Sequence, residues 1–179
     1  HQRVMVVEVM GRYAGWIALH SGLSGSCNVI LIPEIPFALE PICRHLLERK
    51  KRGRSYSLVC VAEGAHLQGQ GMFFKAGKER GREQRLGGIG EWLAHEIARR
   101  TGLETRSLVL GHLQRGGSPS TYDRLLALRY GAAAVRLAGE GLWGHMVSFQ
   151  PPLMSHVPLE EVVRQSKCVS PFEDTVLTG

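Results

Sequence analysis

Aspartate is almost absent from this chain. Among 179 residues there are two, Asp123 and Asp174, beside 14 Glu, and lysine is nearly as scarce, with 5 Lys beside 17 Arg. Chemistry at phosphate groups draws on carboxylates to hold magnesium and to take up a proton, so this chain has few groups for that work. Its four cysteines, Cys27, Cys43, Cys60 and Cys168, form no C-x-x-C pair. That spacing argues for a reducing compartment over a disulfide scaffold or a zinc module. No apolar run approaches the roughly 20 residues of a membrane span. No signal peptide, repeat, linker or low-complexity tract is visible, and the expectation is a cytoplasmic protein.

The remainder is ordinary globular composition, 44% hydrophobic and 21% charged, with 22 Gly and 8 Pro. This suits one packed core, or one domain with a piece of a second. The net charge of +6 is carried mainly by arginine. Guanidinium forks pair bidentately with phosphate and carboxylate, so the partner classes are nucleic acid, membrane surface and phosphorylated metabolites. The chain starts at His1 and enters an apolar segment almost at once. It reads as cut from something longer.

Short β-branched runs alternate with stretches of helical period, the pattern of a parallel α/β sheet with both faces covered. Residues 4–9, 28–32, 57–61, 107–110 and 145–149 read as strands. Leu39, Ile42, Cys43, Leu46 and Leu47 mark a helix with Pro41 in its first turn, ended by Gly53. Ile89, Trp92, Leu93 and Ile97 mark another, closed by Gly102. Ser118-Pro119 reads as the cap of an alanine-rich helix that Gly139 stops, and Pro158 opens a short last helix. A further helix is expected from Tyr13. Residues 64–88 have no clean period and read as a long mobile excursion, functional or a variable insertion.

In open parallel sheets ligands bind beyond the carboxyl ends of the strands, so the turns there carry the candidates. Met10-Gly11-Arg12, Glu63-Gly64 and Gly111-His112-Leu113-Gln114-Arg115-Gly116-Gly117 put two arginines, a histidine and a carboxylate on one rim. Glycine lets backbone approach a ligand closely, and a helix N-terminus favours an anion. Together these suit a phosphorylated polyol. Each turn alone is ordinary turn chemistry; the coincidence carries the reading. His95-Glu96 begins like a zinc protease helix, but the second histidine position holds Arg99. Gly87 to Gly90 imitates part of a dinucleotide fingerprint without following a strand. The basic run from Arg49 to Arg54 suits an effector phosphate or nucleic acid, and equally a solvated helix C-terminus. No aromatics interleave with it, so single-strand binding lacks support.

Three blocks are more specific: Val7-Glu8-Val9-Met10-Gly11-Arg12-Tyr13-Ala14-Gly15; Val61-Ala62-Glu63-Gly64-Ala65; and Gly111 to Gly117 with Ser118-Pro119-Ser120, followed by Asp123-Arg124. In this order they resemble the fructose 6-phosphate half of phosphofructokinases, over residues 1–149 and more loosely to the end. The resemblance implies an open, mainly parallel sheet with helices on both faces. It implies a sugar-phosphate domain over 1–115, a helix over 116–143 returning toward a nucleotide domain, and a C-terminal strand and helix of the sugar-phosphate domain over 144–179. Substrate contacts fall to Met10, Gly11, Arg12, Glu63, His112, Leu113, Gln114 and Arg115, with Arg12 also facing the transferred phosphoryl group. Arg3 and Arg106 match arginines that reach the sugar phosphate of a neighbouring subunit.

The family's phosphoryl-donor loops and catalytic aspartate motif have no counterpart here, so the chain reads as a C-terminal fragment holding half of an active site and inactive alone. Magnesium and the donor, ATP or pyrophosphate, would be held mainly by the other half, with no metal ligand in this chain. Bacterial allosteric relatives carry an acidic effector-metal ligand where Asn28 stands; Arg52 and Arg54 remain available to an effector phosphate. The implied enzyme is a glycolytic 6-phosphofructokinase, a homo-oligomer of two or four copies that needs neither nucleic acid nor membrane. The alternative is a non-catalytic sugar-phosphate-binding or regulatory module.

Overall fold

The computed structural model describes residues 2–72, 87–164 and 166–178, in two compact units, residues 1–115 with 168–179, and residues 116–167. The reading of 64–88 as a mobile excursion falls mostly on 73–86, outside the described residues.

The first unit is built on four parallel strands, β1 (Val4–Val9), β2 (Val29–Leu31), β3 (Ser57–Ala62) and β4 (Thr105–Val109), in the order β2-β3-β1-β4. Between them run α1 (Trp16–Ser24), α2 (Leu39–Lys51) and α3 (Ile89–Thr101), and a 3-10 turn, Gly111–Arg115, follows β4. Alternation along the central strands sorts side chains to two faces. Val4, Val6, Val59 and Val61 meet Ile42 and Leu46 of α2 and Ile89, Leu93 and Ile97 of α3. Val9, Cys60 and Ala62 meet Ala18 and Leu19 of α1, and Val169 closes that cluster. With helices on both faces, the central strands are apolar almost throughout. The exceptions are Glu8 in β1 and Ser57 at the start of β3, both buried.

The strands lie within two residues of the sequence reading, with two departures of substance. Helix α1 begins at Trp16 rather than Tyr13, because Gly15 is its N-cap and residues 10–14 form the loop over the sheet edge. The run at 145–149 is not a fifth parallel strand. It is β5 (His145–Gln150), pairing antiparallel with β6 (Leu153–Pro158) in a separate two-stranded sheet. Two residues link β5 to β6, which permits only antiparallel return, since a parallel connection needs a dozen residues or more.

The second unit holds α4 (Thr121–Gly139), the β5-β6 hairpin and α5 (Leu159–Arg164). Its cap is Ser120, not Ser118. The Ser120 hydroxyl accepts the Asp123 N–H at 3.2 Å, and the Asp123 carboxylate accepts the Ser120 N–H at 2.8 Å. This capping box holds the Asp123 carboxyl below its usual range through the hydrogen bonds from Ser120. Arg129 of α4 stacks 4.8 Å from the Phe149 ring, tying helix to hairpin. Of residues 144–179, expected together in the sugar-phosphate domain, 144–167 lie in this second unit. Residues 168–179, with α6 (Asp174–Leu177), belong to the first.

Candidate functional site

Because β1 lies between β3 and β4, the carboxyl ends of three strands are neighbours, and the loops leaving them meet. The loop after β1 is held by side chains from both sides. Gln114 Oε1, in the turn after β4, accepts the Met10 N–H at 2.7 Å. Glu63 Oε1, just past β3, accepts the Gly11 N–H in a long contact of 3.4 Å. Main chain completes the clamp, with Glu63 N–H donating to Val9 O at 2.9 Å, Gly64 N–H to Gly11 O at 3.0 Å and Leu110 N–H to Glu8 O at 3.0 Å.

Two glycines make this closeness possible. A Cβ on Gly64 would lie 1.9 Å from the Arg12 carbonyl oxygen, so no other residue fits without moving that backbone. Gly11 has φ +149, and a Cβ there would meet the Ala14 carbonyl oxygen at 2.9 Å. Arg12 follows, its guanidinium 5.1 Å from the Tyr13 ring centre.

Met10, Gly11, Arg12, Glu63 and Gln114 are thus joined by a chain of direct contacts and backbone continuity. His112, Leu113 and Arg115 occupy the exposed 3-10 turn that also carries Gln114. Arg3 and Arg106 lie elsewhere. Arg3 precedes β1, and Arg106 sits in β4 opposite Met5, one residue inside the strand rather than before it. Both pair with Glu104 Oε1, at 3.4 Å and 3.2 Å. Strand rise of about 3.3 Å per residue puts each roughly 20 to 30 Å from its counterpart on the carboxyl rim. At that amino edge a cavity of about 260 Å³ is lined by Arg3, Lys50, Arg54, Tyr56 and Glu104.

Two carboxylates escaped the sequence reading. Glu34, beyond β2, accepts the Gly15 N–H at 3.0 and 3.1 Å and the Val169 N–H at 2.8 Å. It occupies the N-terminus of α1, which the sequence reading had offered to a bound anion. Glu8 Oε2 accepts the Gly90 N–H at 2.8 Å in the first turn of α3. The signal for Glu8 was a charged residue inside an otherwise apolar strand; Glu34 had none that distinguished it from a turn carboxylate. Asn28 Oδ1 accepts the Leu58 N–H at 3.0 Å, tying β2 to β3.

Among the described residues no group of three or more His, Cys, Asp or Glu is placed to hold a metal ion. Among the described rim residues the carboxylate is Glu63, whose Oε1 is turned to the Gly11 N–H. Among the described residues no helix is long and apolar enough to cross a membrane.

Fold and rim together define an α/β domain whose loops converge at the carboxyl edge of a parallel sheet, where ligands of such folds bind. The family model for Phosphofructokinase matches residues 1–138. An ATP-dependent 6-phosphofructokinase of Chloroflexus aurantiacus is 50% identical over 177 residues, 99% of this chain and 48% of that protein. A pyrophosphate–fructose 6-phosphate 1-phosphotransferase of Amycolatopsis methanolica is 48% identical over 172 residues, 96% of this chain and 50% of that protein. The crystal structure of a pyrophosphate-dependent phosphofructokinase from Marinobacter aquaeolei is similar at TM-score 0.77 and 28% identity, over 98% of this chain and 44% of that one. The chain belongs to the phosphofructokinase family. It spans about half the length of the relatives it matches.

Proposed function

We propose that this chain is the fructose 6-phosphate-binding part of a 6-phosphofructokinase, which transfers a phosphoryl group to the sugar 1-hydroxyl to give fructose 1,6-bisphosphate. The observation that carries the reading is the clamped loop after β1. Gln114, Glu63 and Gly64 hold its backbone, so Arg12 leaves the sheet edge from a fixed origin. Such preorganisation matters because phosphoryl transfer is catalysed mainly by positioning and charge stabilisation.

In this reading the Arg12 guanidinium lies along the transferred group and meets charge as it develops on its oxygens. Glu63 keeps one carboxylate oxygen for sugar hydroxyls. Gln114, its oxygen engaged with Met10, offers its amide N–H groups, and His112 and Arg115 neutralise the sugar phosphate. Leu113, Met10 and Gly11 shape the floor. Arg3 and Arg106 are too distant to serve the same sugar and would complete the site of a second copy in a dimer or tetramer. The base that takes the hydroxyl proton and the magnesium-bound donor would come from outside these residues. Relatives named for ATP and for pyrophosphate match almost equally, so the donor is either. A glycolytic role places the enzyme in the cytoplasm. A second reading, a non-catalytic sugar-phosphate-binding module, draws on the half-length match.

Arg12→Lys in the chain joined to the family's donor half tests this. Lysine keeps the charge and loses the fork, so turnover should fall by roughly 2 to 4 kcal/mol of barrier, with a smaller loss of fructose 6-phosphate binding. An unchanged turnover number would reduce Arg12 to a turn residue. A joined protein that binds the sugar phosphate without turning it over would favour the module. The chain alone should show no transfer from either donor.

A further inference from the structure

Glu34 takes no part in the proposed reaction, yet the structure sets it at the far end of the loop that carries Arg12. Its two carboxylate oxygens receive the Gly15 N–H at 3.0 and 3.1 Å, and Oε1 also receives the Val169 N–H at 2.8 Å. Bonds of this kind, with an ionised acceptor, are about twice as strong as neutral ones. Gly15 is buried, and a Cβ there would meet Ile32 Cβ at 2.4 Å and Glu34 Oε2 at 2.9 Å. Glycine is what lets the carboxylate come so near the main chain.

Val169 comes from a distant part of the sequence and is fixed by more than this bond. Its side chain is buried and packs with Val9, Ala18 and Leu19. The residue before it, Cys168, directs its thiol to the Tyr13 carbonyl oxygen at 3.5 Å. Tyr13 in turn is the residue whose ring the Arg12 guanidinium covers. The loop over the sheet edge is therefore held twice, at its start by Gln114, Glu63 and Gly64, and at its end by Glu34 with the segment that begins at Cys168. Held at one end only, the loop would let the guanidinium's origin wander; held at both, it presents Arg12 at a set place.

We propose that Glu34 is a positioning residue for Arg12: by joining Gly15 to Val169 it fixes the end of the loop, so the guanidinium meets the sugar phosphate without prior ordering. The proposal rests on the sugar-phosphate reading of the rim. Charge contributes as well as shape. Glu34 faces the N-terminus of α1, where a negative group is favoured, and its Oε1 serves two N–H groups at once. Glutamine in its place keeps that oxygen and loses the charge.

Amide hydrogen exchange and fructose 6-phosphate titration of the 179-residue chain test this together. In Glu34→Ala the Gly15 and Val169 amides should exchange about tenfold faster or more, while those of β1 and β3 stay protected. Affinity for fructose 6-phosphate should fall about fivefold or more, and the double variant with Arg12→Ala should bind no more weakly than Arg12→Ala alone. Glu34→Gln, of nearly the same shape, should show both changes to a smaller degree, and it decides the matter if the alanine variant does not fold. Full affinity in a chain whose two amides have been released would overturn the proposal and leave Glu34 a structural tie. Amides that stay protected would overturn it too, as would losses that add in the double variant, since Glu34 would then act other than through Arg12. An unsubstituted chain that binds no fructose 6-phosphate would defeat the sugar-phosphate reading and this proposal with it, an outcome seen before any substitution is made.

Discussion

Gly64 carries the sharpest constraint at the residue scale. Its missing side chain leaves room for the Arg12 carbonyl oxygen, which a Cβ would approach to 1.9 Å. Gly64→Ala must therefore push apart the loops after β1 and β3, and the expected destabilisation is about 3 kcal/mol or more, the upper range for overpacking. Gly131→Ala in α4, where a Cβ meets nothing within 4 Å, is the control and should be neutral or slightly stabilising. Denaturant titrations of both variants check this, and similar losses in the two would contradict it.

Glu96 makes a second residue-scale prediction. Hydrogen bonds from Arg99, then Arg100, hold its carboxyl down at about 2 from an ordinary 4.5. A folded value below the unfolded one means stabilisation that is complete above about pH 4.5 and is lost as pH falls toward 2. The melting temperature of Glu96→Gln should accordingly lie below that of the unsubstituted chain at pH 7, and the gap should close by pH 2. A gap that stays constant would mean the ion pairs add nothing. Residue chemistry of this kind was only partly legible in the sequence. Arg12, Glu63 and His112 stood out by following strands, whereas Glu34 is identified by its partners Gly15 and Val169, 19 and 135 residues away.

At the scale of elements, β1 and β3 were readable because a strand buried on both faces is an apolar run with no competing pattern. The helices α2 and α3 were readable from apolar spacing and from Gly53 and Gly102 at their ends. What local pattern does not encode is the identity of a strand's partner. The run at 145–149 looked like another parallel strand, and its partner β6, Leu-Met-Ser-His-Val-Pro, has one β-branched residue and ends in proline. Its one start signal, Pro158, points to the helix that follows and not to a strand.

Helix α4 shows how a near miss arises. Ser118-Pro119 and Ser120 with Asp123 are both start signals, and the second prevails because Ser120 and Asp123 satisfy each other's N–H groups. Ser120→Ala should cost about 1 kcal/mol, within 0.5 to 2, and Ser118→Ala close to nothing. Urea unfolding of the two variants checks the assignment; the reverse order would restore Ser118 as the cap.

For the whole molecule, the sheet separates two kinds of arginine. Arg12 and Arg115 stand at the carboxyl edge, in loops joined by the Gln114 contact to Met10. Arg3 and Arg106 stand at the amino edge on Glu104. In the proposed reading, cations at both edges serve one sugar phosphate when copies assemble so that opposite edges meet, which is the content of the proposed shared site. The scarcity of aspartate belongs to the same scale: in the proposed reading this chain binds and orients the sugar and has little need of a base.

Amide spectra of the isotope-labelled chain during titration with fructose 6-phosphate test the central claim most directly. The account predicts saturable shifts at Gly11, Arg12, Glu63 and residues 112–115. Arg12→Ala should weaken them, and glucose, without the phosphate, should fail to reproduce them. Saturable shifts that leave this rim untouched, or no shifts at millimolar sugar phosphate from a folded chain, would contradict it.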